Sequence, residues 1–393
     1  MNRCEPGEVG LSADRLADLT RLTRRYVDEG KLPGVLTLVA RHGRVAHLDT
    51  YGYAEDTIFR IYSMTKPIAS VALMTLYEQG AFLLEDPVAD YLPALRGRPV
   101  FAGGTADHYE VRPAAREMTV LDLLRHTSGL IARSYRTPLG ELYRRHGVAD
   151  MAGDSDLAAT VDRLAGVPLA CDPGSEWIYG ISTDLVGRLC EVLSGQRFDD
   201  LLAERIFRPL GMTATGFSVG PADKDRLAAA YRAADGMPRY EPLDDPYESS
   251  RAYLSGAAGL VSTARDYHRF ASMLLGGGEL DGVRVLGPRT VDLMTINHLP
   301  GGAEINQIGT HGGETRPAGH GFGLGFAVVQ DRARAETVAT PGEYSWGGAL
   351  STCFFASPAD DLFVLFLTQL RPSATYLRIR RELRSIAYAA VVD

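Results

Sequence analysis

Ser63 stands three residues before Lys66 in a run, Ser63-Met64-Thr65-Lys66, that reads as the start of a helix. Positions i and i+3 of a helix share a face, so this spacing lets Lys66 Nζ reach Ser63 Oγ. A serine hydroxyl is a weak nucleophile until a neighbour takes its proton. An amine one turn away is the minimum equipment for doing this without histidine. The choice of amine is informative. Of the 41 basic residues only Lys31, Lys66 and Lys224 are lysines, and the rest are arginines. Arginine stays protonated near neutral pH, whereas a partly buried lysine can lose its proton. Backbone N–H groups at a helix start are unpaired and point at whatever the serine attacks, as an oxyanion hole requires. Taken alone, Ser-x-x-Lys is also the spacing of an ordinary solvated helix face.

Other candidates read more blandly. Gly216-Phe217-Ser218-Val219-Gly220 fits the Gly-x-Ser-x-Gly pattern, which needs a strand before it and a helix after it. Gly211-Met212-Thr213 precedes it without a strand pattern and Pro221-Ala222-Asp223 follows, so Ser218 is expected in a loop. The nine histidines are scattered, with no motif for a His-based triad. His126 reads as a residue holding a helix end, and His320 as part of a glycine-rich turn. Cys4, Cys171, Cys190 and Cys353 have no metal-ligand spacing and read as free thiols. The chemistry implied here calls for no metal and no cofactor.

The elements around Ser63 follow from periodicity. Ser12 to Glu29 is an amphipathic helix with Leu16, Leu19, Leu22 and Tyr26 on one stripe. Val35 to Ala40 is a strand, Arg41-His42-Gly43-Arg44 its turn and Val45 to Tyr51 the return. The helix bearing Ser63 runs to about Glu78, and Pro67 disturbs only its opening turn. From about Glu85 to Arg251 helical patterns alternate with long Pro/Gly loops, including Val120 to His126 and Thr183 to Leu193. Strand signals return at Gly259 to Ser262, Phe322 to Val329, Leu350 to Phe355 and Leu362 to Thr368, before a closing helix from Leu377 to Val391. Strand-rich ends around a helical middle predict a discontinuous α/β domain (residues 1–85 and 252–393) with a mainly helical domain (86–251) inserted. The active-site cleft is expected between the two.

Two more segments complete a pattern with Ser63-x-x-Lys66: Trp177-Ile178-Tyr179-Gly180-Ile181-Ser182 and Tyr344-Ser345-Trp346-Gly347-Gly348-Ala349. Their order and wide spacing resemble the serine β-lactamase and penicillin-binding protein superfamily, in particular its class C-like esterases, the family VIII carboxylesterases. Leu123-Leu124-Arg125-His126-Thr127-Ser128-Gly129-Leu130, Pro209-Leu210-Gly211-Met212 and Gly256 to Ala264 are similar to the same family. The resemblance implies a two-domain α/β (α+β) β-lactamase-like fold, with an antiparallel sheet flanked by helices. It implies Ser63 as nucleophile, Lys66 as the lysine that shares its proton, and Tyr179 as the tyrosine base. Unperturbed Tyr and Lys titrate near ~10 and ~10.4, so the two would have to shift each other and titrate as a unit. By the same analogy the oxyanion hole is formed by the backbone N–H groups of Ser63 and Ala349.

Departures from the family pattern point to the substrate. Where penicillin-recognising enzymes carry Lys-Thr-Gly, this chain has Trp346-Gly347-Gly348, so a cation that could hold a substrate carboxylate becomes an indole. Ile181 replaces an asparagine that could bond an acylamino group. Both changes favour small neutral esters packed on Trp346 and Ile181, with Tyr135 and Trp177 as further candidate walls. Asp184 is expected to cap or pair on the helix after Tyr179. The rival readings are a β-lactamase or D,D-peptidase, an acyltransferase, and a non-catalytic penicillin-binding-type sensor. A net charge of −8 argues against nucleic acid or anionic membrane as partner. No apolar run approaches the ~20 residues of a membrane span, and the N-terminal residues lack the apolar core of a secretory signal. A cytoplasmic enzyme acting on a small-molecule ester is therefore expected, with its oligomeric state open.

Overall fold

The apolar runs of this chain become strands buried on both faces. In the computed structural model, which describes residues 1–151, 155–234, 240–244, 252–311 and 317–393, a seven-stranded antiparallel sheet is built from both ends of the sequence. Its strands are β1 (Val35–Arg41), β2 (Arg44–Tyr51), β3 (His320–Phe322), β4 (Ala327–Val329), β5 (Tyr344–Gly347), β6 (Cys353–Ser357) and β7 (Leu362–Leu367). Their order is β3-β4-β5-β6-β7-β1-β2. Side chains alternate across a strand, so Leu36, Leu38, Phe363 and Leu365 enter one core while Val35, Val39, Val364 and Phe366 enter another. The second core is closed by α1 (Ala13–Asp28) and α5 (Leu377–Ala389). The first is closed by α2 (Thr65–Tyr77) and α4 (Ala264–Leu275), and it continues into α3 (Ser182–Ser194). Helix α2 is buried almost throughout, which gives whatever stands at its start a rigid support.

Two elements differ from the sequence reading. The run Phe322 to Val329 is an antiparallel hairpin of β3 and β4 rather than one strand, because Gly323-Leu324-Gly325 turns the chain and Gly325 has φ +101°. Among the described residues between 86 and 251, two antiparallel strand pairs join the helices: Val100–Gly104 with Tyr109–Arg112, and Ala230–Ala233 with Tyr240–Leu243. Ala230–Ala233 also runs parallel to Leu370–Arg371. Tyr109–Arg112 is exposed along its length, so its short alternation of Tyr109 and Val111 with Glu110 and Arg112 faces no core. The sequence boundary at Arg251 lies outside the described residues.

The short helix Val120–Leu124 is held by one acid. Thr119 caps it, accepting from the Asp122 N–H, while Asp122 accepts from the Thr119 N–H. The fully buried Asp122 carboxylate also takes Arg116 at 2.6 and 2.9 Å, Arg125 at 3.0 Å and Thr127 Oγ1 at 2.8 Å. Burial pushes this carboxyl up, but Arg116 and the Thr119 N–H outweigh it and hold it below its ordinary value. A depressed carboxyl contributes stability above its unfolded pKa, lost as pH falls through the folded one. Asp122→Ala should therefore cost about 1–3 kcal/mol at neutral pH, since the Thr119 N–H, Thr127 Oγ1 and the partly exposed Arg125 lose a buried acceptor. Denaturant titrations from pH 7 down to pH 3 check this. The deficit of the variant should shrink at the acid end, and a constant deficit would contradict the account.

Candidate active site

Ser63 lies in a single 3-10 turn, Tyr62–Met64, that leads directly into α2. Tyr62, just before it, has φ +44°, an uncommon conformation for a bulky residue. The turn is pinned by three hydrogen bonds, two with Leu260 and one from Tyr267. Ile61 N–H donates to the Leu260 carbonyl at 3.1 Å, Leu260 N–H donates to Thr65 Oγ1 at 3.1 Å, and Tyr267 OH donates to the Met64 carbonyl at 3.1 Å. The segment Gly259 to Ser262 is thus the backing of the serine turn. It pairs with Phe59–Arg60 through Val261–Ser262.

Lys66, 3% exposed, donates from Nζ to Ser63 Oγ at 3.2 Å and to the Ala257 carbonyl at 2.8 Å. The same Nζ lies 4.5 Å from the centroid of the Tyr179 ring, within the range of a cation–π contact. Tyr179 OH accepts from Trp346 Nε1 at 3.2 Å. The structure therefore gathers Ser63, Lys66, Tyr179 and Trp346 from three distant stretches of chain.

Tyr179 is placed by the segment after Val120–Leu124. Ile178 N–H donates to the His126 carbonyl at 2.9 Å, Gly174 N–H to the Thr127 carbonyl at 2.7 Å and Ala170 N–H to the Gly129 carbonyl at 2.8 Å. Tyr135 OH donates to the Tyr179 carbonyl, so Tyr135 secures the backbone of the second motif. Trp177, 2% exposed, stacks on Tyr179 at 5.9 Å and packs with Phe322, Leu299 and Ile305. It is a core residue behind Tyr179. Ile181 is 6% exposed and packed in the main core, so it offers the cleft little surface. Trp346 and Gly347 are half-buried and contribute more.

The third motif reaches the serine turn through Gly348. A Cβ there would stand 2.4 Å from the Ile61 carbonyl oxygen, so the close approach of the two backbones requires glycine. Ala349 follows, half-buried. Arg380 of α5, which sequence reasoning missed, donates to the Thr352 carbonyl at 3.2 Å and the Gly348 carbonyl at 3.5 Å. It lies against the strand whose motif lysine is replaced by Trp346. One arginine among so many carries no local signal.

His126 is fully buried between the rings of Tyr179, Phe322 and Trp177, at 5.0, 5.5 and 6.2 Å. Burial, helped by the Lys66 charge, pushes its pKa far down, so it stays neutral. His320 Nδ1 meets the Ala318 carbonyl at 2.9 Å. Ser218 is exposed and lies in a loop, with neither strand before it nor helix directly after it. The four cysteines are free. Among the described residues no group of acids, histidines or cysteines has metal-site geometry, and no helix is long and apolar enough to cross a membrane.

Known proteins are similar to this chain along almost its whole length. The profile of the β-lactamase family matches residues 19–389. Esterase EstB of Burkholderia gladioli is 32% identical over 419 aligned positions, which cover 98% of each chain. Monacolin J acid methylbutanoyltransferase of Aspergillus terreus is 30% identical over 336, covering 81% of this chain and 78% of that one. Among solved structures, EstCE1, described as a hydrolase with promiscuous acyltransferase activity, superposes with a TM-score of 0.80 at 28% identity over 95% of this chain and 99% of its own. The chain belongs to the β-lactamase family and is a serine hydrolase of its superfamily with penicillin-binding proteins.

Proposed function

We propose that this protein is a carboxylesterase of the family VIII type, cleaving small neutral esters through an acyl-enzyme on Ser63. The observation that carries this reading is Lys66 Nζ, 3.2 Å from Ser63 Oγ and 4.5 Å from the Tyr179 ring centroid. Ser63 Oγ attacks the ester carbonyl as its proton passes to the Tyr179–Lys66 pair. The tetrahedral oxyanion is received by the N–H groups of Ser63 and Ala349. The pair returns the proton to the departing alkoxide as the C–O bond breaks. Water, deprotonated by the same pair, then attacks the acyl carbonyl and releases the acid, and Ser63 recovers its proton. The acyl or alcohol part packs on Trp346 beside Gly347 and Gly348.

The similarity to EstB supports ester over lactam, as does an indole where a lysine would hold an anionic substrate. Acyl transfer to an alcohol is a second reading, favoured by the similarity to the methylbutanoyltransferase and to EstCE1. In that case an alcohol replaces water in the second half-reaction. A series of p-nitrophenyl esters of increasing acyl length, run beside nitrocefin, tests the proposal. Ester turnover should exceed nitrocefin turnover at least tenfold at the best chain length. Dominant nitrocefin turnover would overturn it. Added alcohol that diverts product from acid to new ester would select the second reading.

A further inference from the structure

Asp184 is a buried acid that this reaction leaves unused. It stands on the first turn of α3, five residues after Tyr179. Its Oδ1 accepts from Ser255 Oγ at 2.6 Å and from the Ala257 N–H at 3.1 Å. Ser255 Oγ in turn accepts from the Ala258 N–H at 3.0 Å. Ala257 thus gives its N–H to the carboxylate and its carbonyl to Lys66 Nζ, at 2.8 Å. One carboxylate fixes the loop from one side while the lysine docks on the other. A carboxylate in such surroundings is costly unless it is hydrogen-bonded and balanced by a cation. Burial holds the Asp184 carboxyl above its ordinary value, and Ser255, the Ala257 N–H and the Lys66 charge offset only part of that rise.

We propose that Asp184 is the positioning residue of the proton relay. Through Ser255 and Ala257 it aims Lys66 at Ser63, and as counter-charge it keeps Lys66 protonated, leaving Tyr179 as the base. The inference rests on the reading of Ser63, Lys66 and Tyr179 as the reacting set. The other titratable groups facing this pair are His126, Tyr179 and Tyr253. His126 is held neutral, and burial and Asp184 keep Tyr253 protonated, with Arg133 acting on it more weakly. Neither His126 nor Tyr253 supplies a charge near neutral pH.

Asp184→Asn preserves size and an acceptor oxygen but removes the charge. Without a nearby negative charge Lys66 gives up its proton more easily. The alkaline limb of kcat/KM for p-nitrophenyl butyrate should therefore move to lower pH by about one unit. Ser255→Ala keeps the carboxyl and its bond to the Ala257 N–H but loosens the loop, so it should lower kcat and move the limbs less than Asp184→Asn does. Asp184→Asn with a lowered kcat and unmoved limbs would overturn the proposal in favour of a structural role. If Asp184→Asn does not fold, Asp184→Glu serves instead: its limbs should stay put with kcat reduced, and limbs that move despite the retained charge would also overturn it. Mass spectrometry separates the two levels. An acyl-enzyme on Ser63 with unmoved limbs defeats only the role of Asp184, whereas no adduct on Ser63 defeats the relay itself.

Discussion

Ser63→Ala is expected to lower kcat/KM for p-nitrophenyl butyrate by at least roughly 10⁴-fold, as removal of an activated serine does elsewhere. That loss corresponds to about 5.5 kcal/mol of transition-state stabilisation. Ser218→Ala is expected to leave the rate unchanged. The contrast follows from surroundings rather than from motif. Ser63 has an amine at 3.2 Å, a backbone pinned by Leu260 and Tyr267, and the third-motif strand against its turn. Ser218 is exposed on a loop. The Ser63 substitution removes one oxygen from a half-buried position, so the melting temperature should shift by no more than a few degrees. A variant that keeps its fold and its activity would remove Ser63 from the chemistry.

What the sequence disclosed about this site depended on how local each relation is. Ser63 and Lys66 were legible because their contact is made within one helical turn. The strands β1 and β7 were legible because burial on both faces writes a continuous apolar run. Tyr179 carries no local mark of a base, and its place is set by bonds to His126, Thr127 and Tyr135, about fifty positions earlier. Only the family resemblance singled it out. The link from Asp184 to Lys66 passes through Ala257, more than seventy residues from the acid, and no spacing rule spans that distance. Ile181 stands where the family has an asparagine and on that ground reads as a substrate wall, yet it is the N-cap of α3 and packs in the core. Residues adjacent in a motif can face opposite ways, and periodicity does not resolve this where a strand passes into a helix.

The sharing of one proton between Lys66 and Tyr179 makes the strongest quantitative demand. Tyr179→Phe retains the ring, and with it the packing on Trp177, His126 and Trp346 at 5.9, 5.0 and 5.2 Å. It removes only the hydroxyl that accepts from Trp346 Nε1. The expected loss in kcat is about 10²–10⁴-fold, the usual contribution of a positioned base. Lys66→Met keeps the length of the side chain and removes the bonds to Ser63 and to the Ala257 carbonyl. A loss of about 10³-fold is expected, together with reduced stability because Asp184 is left without its counter-charge. Rates must therefore be taken well below the melting temperature of each variant. Independent contributions would multiply to about 10⁵–10⁷ in the double variant. If the two groups hold a single proton between them, removing either already disables the relay. The double variant should then fall no more than about tenfold below the worse single one. Losses that multiply would instead mean that Lys66 and Tyr179 contribute independently to the same transition state. Pre-steady-state bursts with p-nitrophenyl butyrate would identify which step that is.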